Sequence, residues 1–375
     1  MGYYSDKTGV VSNVVEIYPD HNRRVHHRYE EVKTFPRPGS LRRRVLHIAA
    51  LLFAILTLYI TLSRHETSEY MNLASWRSRL PGTWTNGQPQ EPGKNYAFAT
   101  LLNAPSNTDD DDEEHDRYYT AVRMLGHQIM HDRDTASKYP FIVYVTPQVS
   151  QSKRDRLSQD GAQVEELNNL YGAWFNITTD RWLDVLVKLR MFRMTQFDRM
   201  AFLDGDMLLV KNIDGIFEDD AVKERTNLNK TEAIKDDEAP QPETYVFASV
   251  SEQFTDDHGW PPKDGDYFNV GCMIFKPSEE IYEHYMSVLG IKDRFRTFFP
   301  EQDMLNYIHR KEGNMPWQRL NEKWLLNYAT EMDYKHGVHA LHSKWWLPPD
   351  DKMRSLWARA KDRMESFYDG WDARL

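Results

Sequence analysis

Cysteine is almost absent: Cys272 is the only one, so no disulfide can form within the chain and an apolar core must hold the fold. Cys272 sits in an apolar run and is expected to be buried. No internal repeat is visible, which excludes a repeat architecture. Long apolar runs are absent too, with one exception. Residues 45–62 (VLHIAALLFAILTLYITL) contain no Asp, Glu, Lys or Arg. Eighteen residues at helical rise just cross a bilayer core. A cleaved signal peptide would begin near residue 1, whereas 44 mostly polar residues come first, so an uncleaved signal anchor is expected, with a buried core helix as the alternative.

Charge sets the orientation of that span. Residues 1–44 carry nine Lys or Arg against five acids, with Arg42, Arg43 and Arg44 abutting the apolar run. A cytosolic tail is therefore expected, and a lumenal remainder. Beyond the span basic residues are scarce, 38 against 52 acids, and this net of −14 argues against nucleic acid. An 18-residue span suits a thin, early secretory membrane, which makes the Golgi the expected location and the endoplasmic reticulum the second choice. Two sequons, Asn176-Ile177-Thr178 and Asn229-Lys230-Thr231, fit lumenal loops.

What is present is enough for a large folded domain: 375 residues, 40% hydrophobic and 13% aromatic. Residues 63–94 turn to Ser, Arg, Gly, Pro and Trp and read as a stem. A folded domain is expected over 95–347, followed by a C-terminal helical extension over 348–375. Strand-like 96–102 is followed by an acidic insert at 109–114, read as a solvated loop. Then come a helix at 118–130, a strand at 141–145, a polar helix near 153–158, a strand near 163–167 and a helix at 183–194. This alternation predicts an α/β fold with a mostly parallel central sheet. Residues 223–243 read as an exposed loop, 245–250 and 268–275 as strands, and 278–289 and 301–310 as helices. The helical spacing of Met353, Leu356, Trp357, Met364 and Phe367 predicts a packing or interfacial helix over 351–368.

The chemistry concentrates in Phe202-Leu203-Asp204-Gly205-Asp206, two carboxylates at the end of an apolar strand. Gly205 is expected to let the backbone turn so that both face one ion. A hard divalent cation held there keeps room for substrate phosphates. Open α/β sheets bind ligands at that carboxyl edge.

Several further segments fall in the order of one family. Ala97-Phe98-Ala99-Thr100-Leu101 looks like a first nucleotide-binding strand, and Tyr118 stands eight residues before Gly126 of Leu125-Gly126-His127. Thr146-Pro147-Gln148-Val149-Ser150, Val187-Lys188-Leu189, Asn212-Ile213-Asp214 with Phe217, Phe268-Asn269-Val270-Gly271 and Glu301-Gln302-Asp303-Met304-Leu305-Asn306 follow in register. Over residues 96–346 the chain resembles glycosyltransferase family 8, the glycogenin-like group. That resemblance implies a GT-A type single Rossmann-like domain, a UDP-sugar donor, a manganese-type ion and transfer with retention to a glycan or glycoprotein acceptor.

By the same resemblance Thr100 and Tyr118 are expected at the uridine. Lys188 is expected at the diphosphate or donor sugar, Asn269, Glu301 and Gln302 at the donor sugar, and Lys344 at the diphosphate. The third metal ligand beside Asp204 and Asp206 is expected to be His342, with His339 the alternative; a mixed oxygen and imidazole set favours manganese over magnesium. Three departures stand out, one of them the acidic insert, which splits Thr100 from Tyr118. The segment His342-Ser343-Lys344-Trp345-Trp346 is shorter than the family's, and Glu301 stands where the family has Asp. Two other functions compete: a catalytically weak lumenal partner of an active transferase, and a phosphohydrolase whose first Asp is a nucleophile. In that second class the Asp-x-Asp pair follows the first strand of the domain.

Overall fold

The computed structural model describes residues 94–103, 116–170, 174 and 185–373. The apolar run at 45–62, its flanking tail and stem, the acidic insert and the Asn176 sequon lie outside them. Among the described residues no helix is long and apolar enough to cross a membrane.

The first strands are apolar on both faces, which is the pattern of a parallel sheet covered on both sides. β1 (Tyr96–Leu102), β2 (Phe141–Val145), β3 (Gln163–Glu166) and β4 (Arg199–Leu203) all run parallel, in the spatial order β3-β2-β1-β4. The helices α1 (Arg117–Met130) and α2 (Gln151–Gln159) connect them. Past β4 the chain forms β5 (Met207–Leu209), the two-stranded ribbon β6 (Arg225–Thr226) and β7 (Thr244–Tyr245), then β8 (Phe247–Ser251) and β9 (Phe268–Phe275). β9 lies antiparallel between β4 and β8, and β10 (Gln318–Arg319) closes the seven-stranded sheet beside β8. The helices α3 (Glu279–Gly290) and α4 (Pro300–Ile308) follow β9. A second sheet has the order β11 (Leu325–Asn327), β12 (Ala340–His342), β5, and the short α5 (Glu331–Lys335) connects β11 to β12.

Register decides what meets at the carboxyl edge of β4. Leu203 pairs with Cys272 on antiparallel β9, so the amino end of β9 stands beside Asp204. Met207 on β5 pairs with His342 on β12, which in turn pairs with Asn327 on β11. Side chains distant in sequence thus share one rim. Cys272 is fully buried, as expected, and burial pushes its thiol pKa up.

Two expectations change. Residues 183–194 were expected as a helix of ordinary pitch, whereas Val185–Arg193 is a 3-10 helix packed against α3 and α4. Apolar residues bury it on nearly every side, Lys188 included, and β-branched Val185 and Val187 crowd a normal turn. Gly205 does not occupy the left-handed backbone region. Its lack of a side chain serves a close approach instead: a Cβ there would lie 2.7 Å from Val122 Cγ2 on α1. Gln128 on α1 completes that junction, donating to the Leu209 carbonyl at 2.6 Å and accepting from its N–H at 3.1 Å.

The C-terminal helix α6 (Asp351–Asp372) packs Met353, Leu356, Trp357, Ala360 and Met364 in one cluster with Ala121 and Met124 of α1. Its Trp357 Nε1 donates to Ser343 Oγ at 3.1 Å, next to His342. The exposed Asn229 lies in the loop between β6 and β7.

Candidate metal centre and its surroundings

Asp204 and Asp206 flank the turn between β4 and β5, and His342 ends β12 directly across from them. One ligand atom from each of the three lies within 4.8 Å of the other two. His342 Nε2 stands 3.0 Å from Asp206 Oδ1, and its buried Nδ1 has no hydrogen-bond partner. His339 is directed elsewhere, its Nδ1 2.8 Å from the Asn212 carbonyl oxygen. The site has space because of Gly271: a Cβ there would lie 2.6 Å from His342 Cε1 and 2.9 Å from Asp204 Oδ2. Two carboxylates and an imidazole, closely grouped over a glycine, fit a divalent cation.

Two lysines flank the carboxylates. Lys188 Nζ donates to Asp204 Oδ1 at 2.9 Å and lies 3.7 Å from Glu301 Oε1. Lys344 Nζ donates to Asp206 Oδ2 at 3.0 Å, so the shortened segment after His342 still delivers its lysine. Burial works to raise the Asp206 carboxyl, but His342 and Lys344 outweigh it and hold the group well below the usual carboxylate range. Burial likewise works against the Lys188 ammonium, and Asp204 and Glu301 reverse it, raising its pKa. Glu301 is pushed up by burial, with Lys188 offsetting part of that, and its Oε2 has no partner.

Asn269, Gln302 and Asn327 converge on one carboxylate, Glu252, just past the end of β8. Asn269 Nδ2 donates to Glu252 Oε2 at 2.7 Å and Gln302 Nε2 to the same oxygen at 3.1 Å. Asn327 Nδ2 donates to Oε1. The carbonyl oxygens of the first two amides cap β9: Asn269 Oδ1 accepts from Gly271 N at 2.8 Å, and Gln302 Oε1 from Val270 N at 3.1 Å.

Tyr118 stands at the start of α1, its hydroxyl 3.4 Å from Lys344 Nζ and its ring edge-on to Trp346 at 4.8 Å. Thr100 is buried in β1, with its Oγ1 unpartnered. The structure therefore brings Lys188, Asp204, Asp206, Glu301, His342, Lys344 and Tyr118 into one connected set. Asn269 and Gln302 join it through Glu252 and Gly271, while Thr100 touches none of them directly. Sequence reasoning assigned no role to Gly271, Glu252 or Asn327. Gly271 had a local signal, a glycine within a buried apolar strand. Glu252 and Asn327 had none, since their partners come from other elements. Asn212 and Asp214 serve the scaffold: Asn212 Nδ2 donates to the Ala136 carbonyl at 2.7 Å, and Asp214 accepts from Ser137 Oγ at 2.5 Å.

The fold is mixed α/β, with a mostly parallel sheet carrying an Asp-x-Asp and His cluster at its carboxyl edge. No family model matches the chain. Over 310 residues it is 29% identical to the uncharacterized protein C4C3.09 of Schizosaccharomyces pombe, spanning 74% of this chain and 80% of that protein. To galactinol synthase 1 of Solanum lycopersicum it is 27% identical over 254 residues, 56% of this chain and 72% of the synthase. Among solved structures it is similar to the glycosyltransferase GlyE of Streptococcus pneumoniae, with a TM-score of 0.45 and 13% identity over 74% of this chain and 64% of that one. The sequence relatives support a glycosyltransferase.

Proposed function

We propose that this chain is a metal-dependent, retaining glycosyltransferase that moves a sugar from a UDP-sugar to a glycan or glycoprotein acceptor. The observation carrying this reading is the Asp204, Asp206 and His342 cluster with a lysine on either side. Asp204, Asp206 and His342 would hold the divalent cation, which supplies Lewis acidity to a diphosphate leaving group when bound. Lys188 and Lys344 add fixed positive charge beside the carboxylates and, as point charges, suit phosphate oxygens. Tyr118, half exposed beside Lys344, offers a ring for the uracil base. Glu301, beside Lys188, and the amides of Asn269 and Gln302 offer hydrogen bonds to the donor sugar. The phosphohydrolase alternative calls for the pair after the first strand, whereas here it follows β4.

The setting completes the proposal: the run at 45–62 is a signal anchor, and the domain is lumenal in the Golgi. The experiment is hydrolysis of UDP-glucose, UDP-galactose, UDP-N-acetylglucosamine, UDP-xylose and UDP-glucuronate by the full chain, with and without Mn²⁺. We expect Asp204→Asn or Asp206→Asn to lower the Mn²⁺-dependent rate by about a hundredfold or more with the folded state retained, checked by circular dichroism. Full activity in the double variant ends the reading.

A further inference from the structure

We infer that Trp346 is a further positioning residue of the site: it fixes the Tyr118 ring and the Lys344 ammonium together, so that one side chain aligns the groups for the base and for the diphosphate of a nucleotide. The inference rests on the transferase reading above and deepens it, by adding a residue outside the metal cluster that governs both ends of the nucleotide.

The residues that follow the metal histidine are tied down one by one. Ser343 Oγ accepts from Trp357 Nε1 on α6 at 3.1 Å, Lys344 Nζ donates to Asp206 Oδ2 at 3.0 Å, and Trp345 Nε1 donates to the Arg117 carbonyl oxygen at the start of α1 at 2.9 Å. A turn follows, in which Leu347 N donates to the Lys344 carbonyl oxygen at 3.0 Å. Trp346 lies within that turn, on a backbone held from both α6 and α1. Its half-buried ring meets Tyr118 at 4.8 Å between centroids and 75° between planes, and the Trp345 ring backs it at 6.1 Å and 88°.

Lys344 completes a triangle with the two rings. Its Nζ stands 5.1 Å from the Trp346 centroid and 5.5 Å from that of Tyr118, within the reach of attraction between a cation and an aromatic ring. The same Nζ is 3.4 Å from the Tyr118 hydroxyl. A lysine is a point charge on a flexible stem, and its ammonium ranges over many rotamers unless its neighbours hold it. Here Asp206 draws the ammonium to the metal cluster and the two rings hold it on the side of Tyr118. The edge-to-face contact takes at most one face of Tyr118, and the ring is 41% exposed, so a face remains for a flat base. Trp346 is therefore the one ring in contact with both the base-facing tyrosine and the phosphate-facing lysine, and its loss releases both.

The test offers the two halves of the nucleotide separately to the full chain: equilibrium dialysis of labelled uridine and of labelled inorganic pyrophosphate, each with Mn²⁺. Trp346→Ala is expected to weaken both, each by about fivefold. Tyr118→Ala acts mainly on uridine and Lys344→Met mainly on pyrophosphate, so only the tryptophan variant loses both together. Trp346→Phe, which keeps a ring, recovers most of the two losses. Mn²⁺ binding without either probe, read by electron paramagnetic resonance, reports the metal cluster itself. Unchanged binding of either probe in Trp346→Ala overturns the proposal, and so does loss of Mn²⁺ in step with both probes, which marks a collapsed rim. A wild-type chain that binds only one probe overturns the proposal alone, and one that binds neither takes the transferase reading with it.

Discussion

Two glycines border the candidate metal centre, and each is required for a different neighbour. Gly271 faces the cluster itself, where an added Cβ would meet His342 Cε1 at 2.6 Å, Asn269 Oδ1 at 2.7 Å and Asp204 Oδ2 at 2.9 Å. The Asp204 backbone is tied to the same residue, its N–H donating to the Gly271 carbonyl at 2.7 Å, so any shift forced by a Cβ falls on side chains of the cluster. Gly205 meets only Val122 Cγ2 on α1, at 2.7 Å, a methyl that a smaller residue would remove. Overpacking of this kind costs about 1–3 kcal/mol in either place. The two substitutions should therefore part on rescue. Gly205→Ala is expected to lower the melting temperature, and adding Val122→Ala to recover most of the loss. Gly271→Ala is expected to weaken Mn²⁺ binding, read by titration calorimetry, with no recovery from any change on α1. Wild-type Mn²⁺ affinity in Gly271→Ala would remove that glycine from the site.

At the level of elements, α1 carries much of the site's alignment, and its start is built from buried charge. Asp116 caps the helix, accepting from Tyr118 N at 3.1 Å and Tyr119 N at 3.0 Å, and its other oxygen takes Lys153 Nζ from α2 at 2.8 Å. Both side chains are nearly inaccessible. Removing one partner strands the other, so Lys153→Met should cost about 3–5 kcal/mol, more than a lost cap alone at about 1 kcal/mol. Because Tyr118 is in the first turn, nucleotide affinity should fall together with stability. Paired urea melts and UDP titrations check this, and a stable variant with unchanged UDP affinity would detach the cap from the site. The elements themselves were largely legible. Strands β1, β2, β4 and β9 are short apolar runs, and the helices carry their periodicity in neighbouring residues. What sequence could not supply lay between elements. The 3-10 pitch at Val185–Arg193 comes from burial on nearly all sides, and the gathering of Asn269, Gln302 and Asn327 on Glu252 requires β8, β9, α4 and β11 to be already assembled. The grouping of Asp204 with Asp206 was readable because two carboxylates one residue apart are a local pattern. His342 was readable only because the resemblance named a histidine near the end of the domain.

The molecule as a whole stores a pH response in histidines far from the metal centre. His127 is buried between α1 and α6, its ring 5.1 Å from Phe367 and 5.9 Å from Tyr368, and burial lowers its pKa from 6.5 to about 4. His309 stacks on Phe247 at 4.0 Å and shares a 2.5 Å contact with the Tyr285 hydroxyl; burial lowers it to about 3. His284 is lowered in the same way, its Nδ1 2.8 Å from the Ala239 carbonyl oxygen. Each folded value lies below the unfolded one, so between them the unfolded chain binds more protons and stability falls as pH falls. The loss begins near 6.5 and continues toward the folded values of about 4 and 3. His342 acts in the opposite sense. Burial works to lower it but Asp206 raises it, so its contribution is complete below its unfolded pKa and is lost as pH rises through the folded one. Paired carboxylates add their own losses at lower pH, while Glu301, raised by burial, works in the opposite sense, and the buried histidines set the slope from about 6 to 5. Urea melts there should show the unfolding free energy dropping by up to about 1.4 kcal/mol per pH unit for each of His127 and His309, with His284 adding in the same direction. His127→Gln should flatten that slope by one histidine's share while leaving the others. A slope identical in wild type and variant would mean that His127 is protonated within the fold, and that α6 does not seal the back of α1 from water.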